Sequence, residues 1–178
     1  MNGRISYRTG DASNPVGDGN KLIVHCCNNI GGWGSGFVVA LSKRWSGPEA
    51  RYRSLVEYVL GQTTLIKVEP GIFVANIIGQ DGITKIRKEW VLPPVRYEAL
   101  RRGFNLAGSW CAKNQASAHM PRIGCGLAGG DWALIEPLID ATFLAKGVDV
   151  TVYDFPGGDY FDSRRTRETH AGTTTQAE

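Results

Sequence analysis

The chain has 178 residues, 42% of them hydrophobic and 21% charged, with 20 Lys and Arg against 17 Asp and Glu. That length suits one domain with a single core, and the composition excludes a wholly disordered chain and a coiled coil. A net charge of +3 gives no nucleic-acid footprint. No apolar run reaches the ~20 residues of a membrane span, and the opening MNGRISYRTGDAS lacks the apolar core of an export signal, so a cytoplasmic protein is expected.

In chain order, residues 4–8 read as a first strand that ends at Thr9-Gly10-Asp11, and 14–20 (NPVGDGN) read as a loop. The apolar run 21–27 (KLIVHCC) has the composition of a strand covered on both faces. The loop 28–36 (NNIGGWGSG) follows, and Phe37, Val38, Leu41 and Trp45 then recur at helical spacing. A second helix is expected over 48–59, with Pro48 in its first turn and Gly61 at its end. Residues 63–68 and 72–78 predict two strands joined by a Glu-Pro-Gly turn. Residues 79–92 read as an irregular charged loop. Pro93-Pro94 predicts the start of a long helix through Lys113, with Tyr97, Leu100, Phe104 and Ala107 on one face. A strand at 116–123, a glycine loop at 124–130, a helix at 131–145 capped by Asp131 and a last strand at 148–155 complete the pattern.

Strands alternating with helices predict a three-layer α/β/α sandwich with a mixed central sheet. The expected domain covers residues 1–156, and the polar segment 157–178 is expected to be a disordered tail or peripheral arm. Cys26, Cys27, Cys111 and Cys125 form no CxxC pair and no zinc spacing, so they read as reduced thiols. With no acidic cluster either, no metal site and no cofactor are expected. The run Arg164, Arg165 and Arg167 is flanked by Asp162 and Glu168 and reads as a solvated tail rather than a nucleic-acid contact.

Two segments repeat one plan: apolar strand, glycine-rich loop, helix. They are HCCN-NIGGWGSG-FVVAL and MPRI-GCGLAGG-DWALI. Glycines let the backbone approach a ligand, and a loop entering a helix presents unpaired N–H groups beside a positive dipole end. Two such loops at the carboxyl ends of strands face a crevice suited to a phosphate-bearing nucleotide. GCGLAG satisfies G-x-G-x-x-G but sits too late in the chain for a dinucleotide fingerprint. GWGSG lacks the Lys-Ser/Thr ending of a P-loop, and neither a G-x-S-x-G elbow nor HExxH is present.

The ordered set Thr9-Gly10-Asp11, His25-Cys26-Cys27-Asn28 with Gly34-Ser35-Gly36, Pro121 to Gly129 (PRIGCGLAG) and Val152-Tyr153-Asp154 resembles the macro domain family, which binds ADP-ribose. The first loop resembles the branch containing ADP-ribose 1″-phosphate phosphatases, and PRIGCGL is similar to the terminal ADP-ribose protein glycohydrolases. The resemblance implies that Asp11 accepts the adenine amino hydrogen, beside Ala12, and that Tyr153 stacks on adenine, beside Asp154. It implies that backbone amides of Gly34, Ser35, Gly36, Cys125, Gly126, Leu127, Ala128 and Gly129 hold the diphosphate and distal ribose. Phe37 and Gly124 flank these loops, Asn28 contacts the distal ribose and Trp33 walls that end. On the residues alone, Asp11 also fits a turn cap, Tyr153 an ordinary strand aromatic and Trp33 a lid on the core.

The glycohydrolase type carries an Asp after Gly-Cys-Gly-Leu and a Lys after the central strand. Here Ala128 stands at the first position, and Lys85 in the following loop does not align with the second. The candidate catalytic residues are then His25, Asn28 and Asp131, with His25 also fitting a core histidine and Asp131 a helix cap. The expected activity is removal of a group from the distal ribose, foremost the 1″-phosphate, by metal-free attack of a water positioned by Asn28 or His25. De-ADP-ribosylation of modified macromolecules and non-catalytic reading of ADP-ribose are the alternatives.

Overall fold

The computed structural model describes residues 1–83 and 92–156. The expected tail at 157–178 and the segment 84–91, which includes Lys85, lie outside the described residues. Six strands form one sheet: β1 (Ile5–Thr9), β2 (Asn20–Asn28), β3 (Thr63–Glu69), β4 (Ile72–Gln80), β5 (Ala116–Pro121) and β6 (Val150–Asp154). Their spatial order is β1-β6-β5-β2-β4-β3. All neighbours pair in parallel except β3 and β4, which form the expected antiparallel hairpin. The helices are α1 (Phe37–Arg44), α2 (Gly47–Arg53), α3 (Tyr97–Lys113) and α4 (Trp132–Thr142), the last followed by a 3₁₀ turn at Leu144–Lys146. This is the predicted mixed α/β/α sandwich.

One sheet face carries Leu22, Val24, Ala75, Ile77, Ala118, Met120, Val150 and Val152, all buried in the main core with Leu100, Phe104, Trp132 and Ile135 from α3 and α4. Strand alternation sends Ile23, His25 and Cys27 to the other face. There α1 packs Leu41 on Ile23 and Val74, and α2 packs Tyr52 on Cys27 and Ile78. These two helices cover β2, β4 and β3. Over β5 and β6 the same face carries Ser117, His119, Thr151 and Tyr153, with His119 opposite Thr151 and Pro121 opposite Tyr153. That half is covered by the irregular segment 10–19 instead of a helix, and Arg44 Nη1 of α1 anchors the segment by donating to Ser13 O and Asn14 Oδ1, each at 2.8 Å.

Two helix boundaries differ from expectation. The helix expected over 48–59 ends at Arg53. Beyond it Leu55, Tyr58 and Leu60 all turn onto the Tyr52 cluster, while Val56 and Val59 face solvent, a pattern no helical face provides. The long helix starts at Tyr97 rather than at the prolines. Val95 and Arg96 are pulled into tertiary backbone bonds instead, to Ala128 O at 3.2 Å and Gly79 O at 2.8 Å. The expected loop start at 79 also moves, because β4 runs on through Gln80 beside Asn28.

Candidate functional site

Five parallel strands end at one edge of the sheet, and a cleft of about 850 Å³ opens there. It is lined by Asp11 and Ala12 after β1, by His25 and Asn28 of β2, and by Trp33, Gly34, Ser35, Gly36 and Phe37 of the first glycine loop and α1. Gly124, Gly126, Leu127 and Ala128 of the second loop and Tyr153 of β6 complete the predicted set that reaches it. The two loops meet across the cleft: a Cβ on Gly36 would lie 3.5 Å from Leu127 Cδ1. Gly36 takes φ 76° at the N-terminus of α1 and Gly124 takes φ 77°, a region that L side chains rarely adopt.

The first loop is shaped by Asn28. Its Oδ1 accepts from the amides of Ile30 and Gly32 at 3.1 and 2.9 Å, and its Nδ2 donates to Gly32 O at 2.7 Å. The Tyr52 hydroxyl closes the set by donating to Asn28 O and Oδ1. Asn28 therefore holds the loop, a role the sequence reading did not assign. Among the described residues, nothing accepts from the amides of Gly34, Ser35 or Gly36, nor from those of Gly126, Leu127 or Ala128. Cys125 and Gly129 differ: their amides close turns on Arg122 O and Gly126 O, and neither residue lines the cleft. The amides facing the cleft are thus a smaller set than the resemblance implied.

His25 lies beneath the first loop, edge-on to Trp33 at 5.6 Å and tilted against Phe37 at 5.9 Å. Its Nε2 is 2.6 Å from Asn76 Oδ1, and Asn76 Nδ2 donates to Pro48 O. The amide oxygen can only accept, so the imidazole carries its proton on Nε2 and leaves Nδ1 as an acceptor. Burial lowers its pKa to about 4, so it is neutral near pH 7. Burial also pushes Cys26 up to about 12 and Cys27 well above its usual value, so neither is a thiolate nucleophile. Trp33 is fixed by an indole bond to Ser42 Oγ at 2.8 Å. Asp131 does not line the cleft; its Oδ1 accepts from Ala133 N at the start of α4, the cap role.

At the other end, Asp11 Oδ1 accepts from Ser13 N at 2.8 Å, and no described residue is hydrogen-bonded to Oδ2. Asp11 therefore caps its own turn while facing the cleft. Tyr153 is 3% exposed and Phe155 is 60% exposed, and both line this end. The open ring is Phe155, which sequence reasoning passed over because it sits where the last strand ends. Asp154 turns from the cleft to Arg122, at 2.7 and 3.2 Å. Arg122 lines the cleft and lies within 5.0 Å of the ring centroids of Tyr7 and Trp132. Gln80 and Ile83 line the distal end and were also missed, because only the extension of β4 brings them there. No group of three His, Cys, Asp or Glu among the described residues could hold a metal ion.

The cleft lies where open α/β sheets bind their ligands, at the carboxyl ends of parallel strands, and so defines the chain as an α/β protein with a ligand-type crevice. No family model matches the sequence. The chain is 30% identical over 152 residues to the bovine ADP-ribose glycohydrolase OARD1, covering 84% of this chain and 91% of that protein. It is 29% identical over 162 residues to the mouse chromodomain-helicase-DNA-binding protein 1-like, covering 85% of this chain but only 18% of that relative's length. A solved macrodomain protein from Streptomyces coelicolor superposes with a TM-score of 0.73 at 45% identity, over 85% of this chain and 99% of that one. The chain belongs to the macrodomain family.

Proposed function

We propose that this protein binds ADP-ribose in the cleft and hydrolyses an ester at C1″ of the distal ribose. The observation that carries the reading is the pair of facing loops whose amides converge between a carboxylate at one end and an uncharged pocket at the other. Asp11 Oδ2 accepts the 6-amino hydrogen of adenine, and Phe155 stacks on the ring. The amides of residues 34–36 and 126–128 hold the diphosphate. The distal ribose lies between Gly32 and Trp33 on one side and Gly126 and Leu127 on the other.

The nature of the leaving group follows from the acids and bases available. His25 Nδ1 already faces Cys27 Sγ at 3.9 Å and, with a pKa near 4, removes a proton weakly. No described residue at the distal end is a proton donor matched to an alkoxide or amide. A departing group that is stable as an anion needs no such donor, which favours phosphate and carboxylate esters. ADP-ribose 1″-phosphate and ADP-ribosylated acidic side chains meet that condition. The likeness to OARD1, named an ADP-ribose glycohydrolase, supports a hydrolytic reading.

The test is to incubate the protein with ADP-ribose 1″-phosphate and with glutamate-ADP-ribosylated peptide, and to measure released phosphate and free ADP-ribose. Turnover of either supports the enzyme reading and names the leaving group. Tight ADP-ribose binding without turnover of either establishes the alternative, a reader, which Ala128 in place of a carboxylate favours. Absence of ADP-ribose binding by calorimetry removes both.

A further inference from the structure

The half of the sheet face that lacks a helix is held by a chain of polar groups. Val16 N donates to the Tyr153 hydroxyl at 3.1 Å. That hydroxyl is 2.9 Å from His119 Nδ1, and His119 Nε2 is 2.8 Å from Ser117 Oγ. The assignment that also pairs the phenol's own proton has the Tyr153 O–H donating to Nδ1 and Nε2–H donating to the serine oxygen. His119 is 2% exposed and Tyr153 3%. Neither polar tip has water as an alternative partner, so breaking one link leaves the next group unpaired.

The far end of this chain is the irregular cover itself. Val16 is exposed and sits five residues beyond Asp11 on the same segment. Asp11 faces the cleft, and its turn runs into Ala12 and Ser13, which are buried. Beyond Asp11 the segment is held by the clamp at Val16, by the Arg44 bonds to Ser13 and Asn14, by burial of Ala12 and Ser13 and by Lys21 Nζ donating to Gly19 O.

We propose that His119 is a positioning residue for base recognition: through the Tyr153 hydroxyl it fixes the Val16 amide, and so holds the segment that aims Asp11 at the purine. The inference rests on the purine role proposed for Asp11. His119 touches no ligand. Its effect reaches the ligand as selectivity for the base rather than as affinity for the diphosphate, which the opposite loops hold.

The experiment compares calorimetric affinities for ADP-ribose and for the analogue whose base is unsubstituted purine, with hydrogen in place of the 6-amino group. Wild type is expected to prefer ADP-ribose by about tenfold, the scale of one charge-assisted hydrogen bond. Tyr153→Phe and His119→Leu are expected to bring the preference within about threefold. His119→Asn, which restores an acceptor near Nδ1, is expected to return it towards wild type. Tyr153→Phe removes only a hydroxyl and keeps the ring, so it serves even where His119→Leu fails to fold. Amide exchange at Val16 gives a second reading, expected to be about tenfold faster in Tyr153→Phe. A preference retained in Tyr153→Phe, or Val16 exchange at the wild-type rate, overturns the clamp. Wild type that treats the two ligands alike removes the purine role of Asp11, and this inference with it.

Discussion

The two ends of the cleft are built from different materials. The distal end is main chain: two glycine loops, shaped by Asn28 on one side and by the turn bonds of Cys125, Gly129 and Gly130 on the other. The end proposed for the purine is side chain: Asp11, Tyr153, Phe155 and Arg122, which Asp154 holds from outside the cleft, displayed by β1, β5 and β6 and the segment 10–19. Backbone amides bind any pyrophosphate they fit, so in the proposed reading the distal end supplies affinity. A carboxylate and a ring choose among bases, so in the same reading the other end supplies selectivity. One buried imidazole lies under each end, His25 below the first loop and His119 below Tyr153.

The largest expected effect falls on both ends at once. Burial lowers His25 and His119 from 6.5 to about 4. In the unfolded chain they take up protons near pH 6.5, so it binds more protons than the folded chain between pH 6.5 and 4. Their contribution to stability is whole above pH 6.5, falls as pH drops and is gone below 4. Each imidazole accounts for about 3 kcal/mol at most. Urea unfolding at pH 8, 6.5, 5 and 4 checks this; a midpoint unchanged from 6.5 to 4 would mean that both rings are solvated.

Next in size is Asn28→Ala, which orphans the amides of Ile30 and Gly32 and leaves the Tyr52 hydroxyl only its bond to the carbonyl of residue 28. A loss of about 2–4 kcal/mol is expected, together with loss of diphosphate affinity while base preference survives. Thermal denaturation with paired calorimetry reads both quantities. If base preference disappears as well, the two ends are not separable.

Asp11→Ala and Gly126→Ala then sharpen the contrast. The first is expected to weaken ADP-ribose binding at least tenfold, about 1.4 kcal/mol, while leaving ribose 5-diphosphate binding alone. Asp11→Asn keeps the oxygen that accepts from Ser13 and so separates the turn from the charge. Gly126 has open space where a Cβ would stand. Its alanine variant is expected to keep the wild-type melting temperature and to weaken every diphosphate ligand by about fivefold. An unchanged affinity there would place the diphosphate elsewhere. The smallest effect is expected of Phe155→Ala, about 0.5–1.5 kcal/mol of stacking, confined to ligands with a base. Equal weakening of base-free ligands would show that Phe155 supports the fold rather than the purine.

Much of this was legible before the structure. The KLIVHCC run marked β2, the Glu-Pro-Gly turn marked the β3–β4 hairpin, and both glycine loops stood out with the helices they enter. These signals are local, since a turn residue or an apolar run acts on its neighbours in the chain. The misses at the helix boundaries were made by tertiary partners. Leu55, Tyr58 and Leu60 end α2 by packing on Tyr52, and Val95 and Arg96 delay α3 by bonding to Ala128 and Gly79. Asn28 is a residue type suited to catalysis, yet it holds a loop because the amides of Ile30 and Gly32 lie within its reach, while Asp131 takes the cap role that its place at the start of a helix had already offered.

The amino-acid sequence by itself determined the element order, the two amide-rich bends and the family, because glycine spacing and apolar periodicity are written residue by residue. Strand order was decided only by the tertiary structure. So were the half of the sheet left to an irregular cover, the protonation of two histidines and the choice of Phe155 as the open ring. Each of those depends on which groups are removed from water together, and burial is a property of the packed chain rather than of any segment.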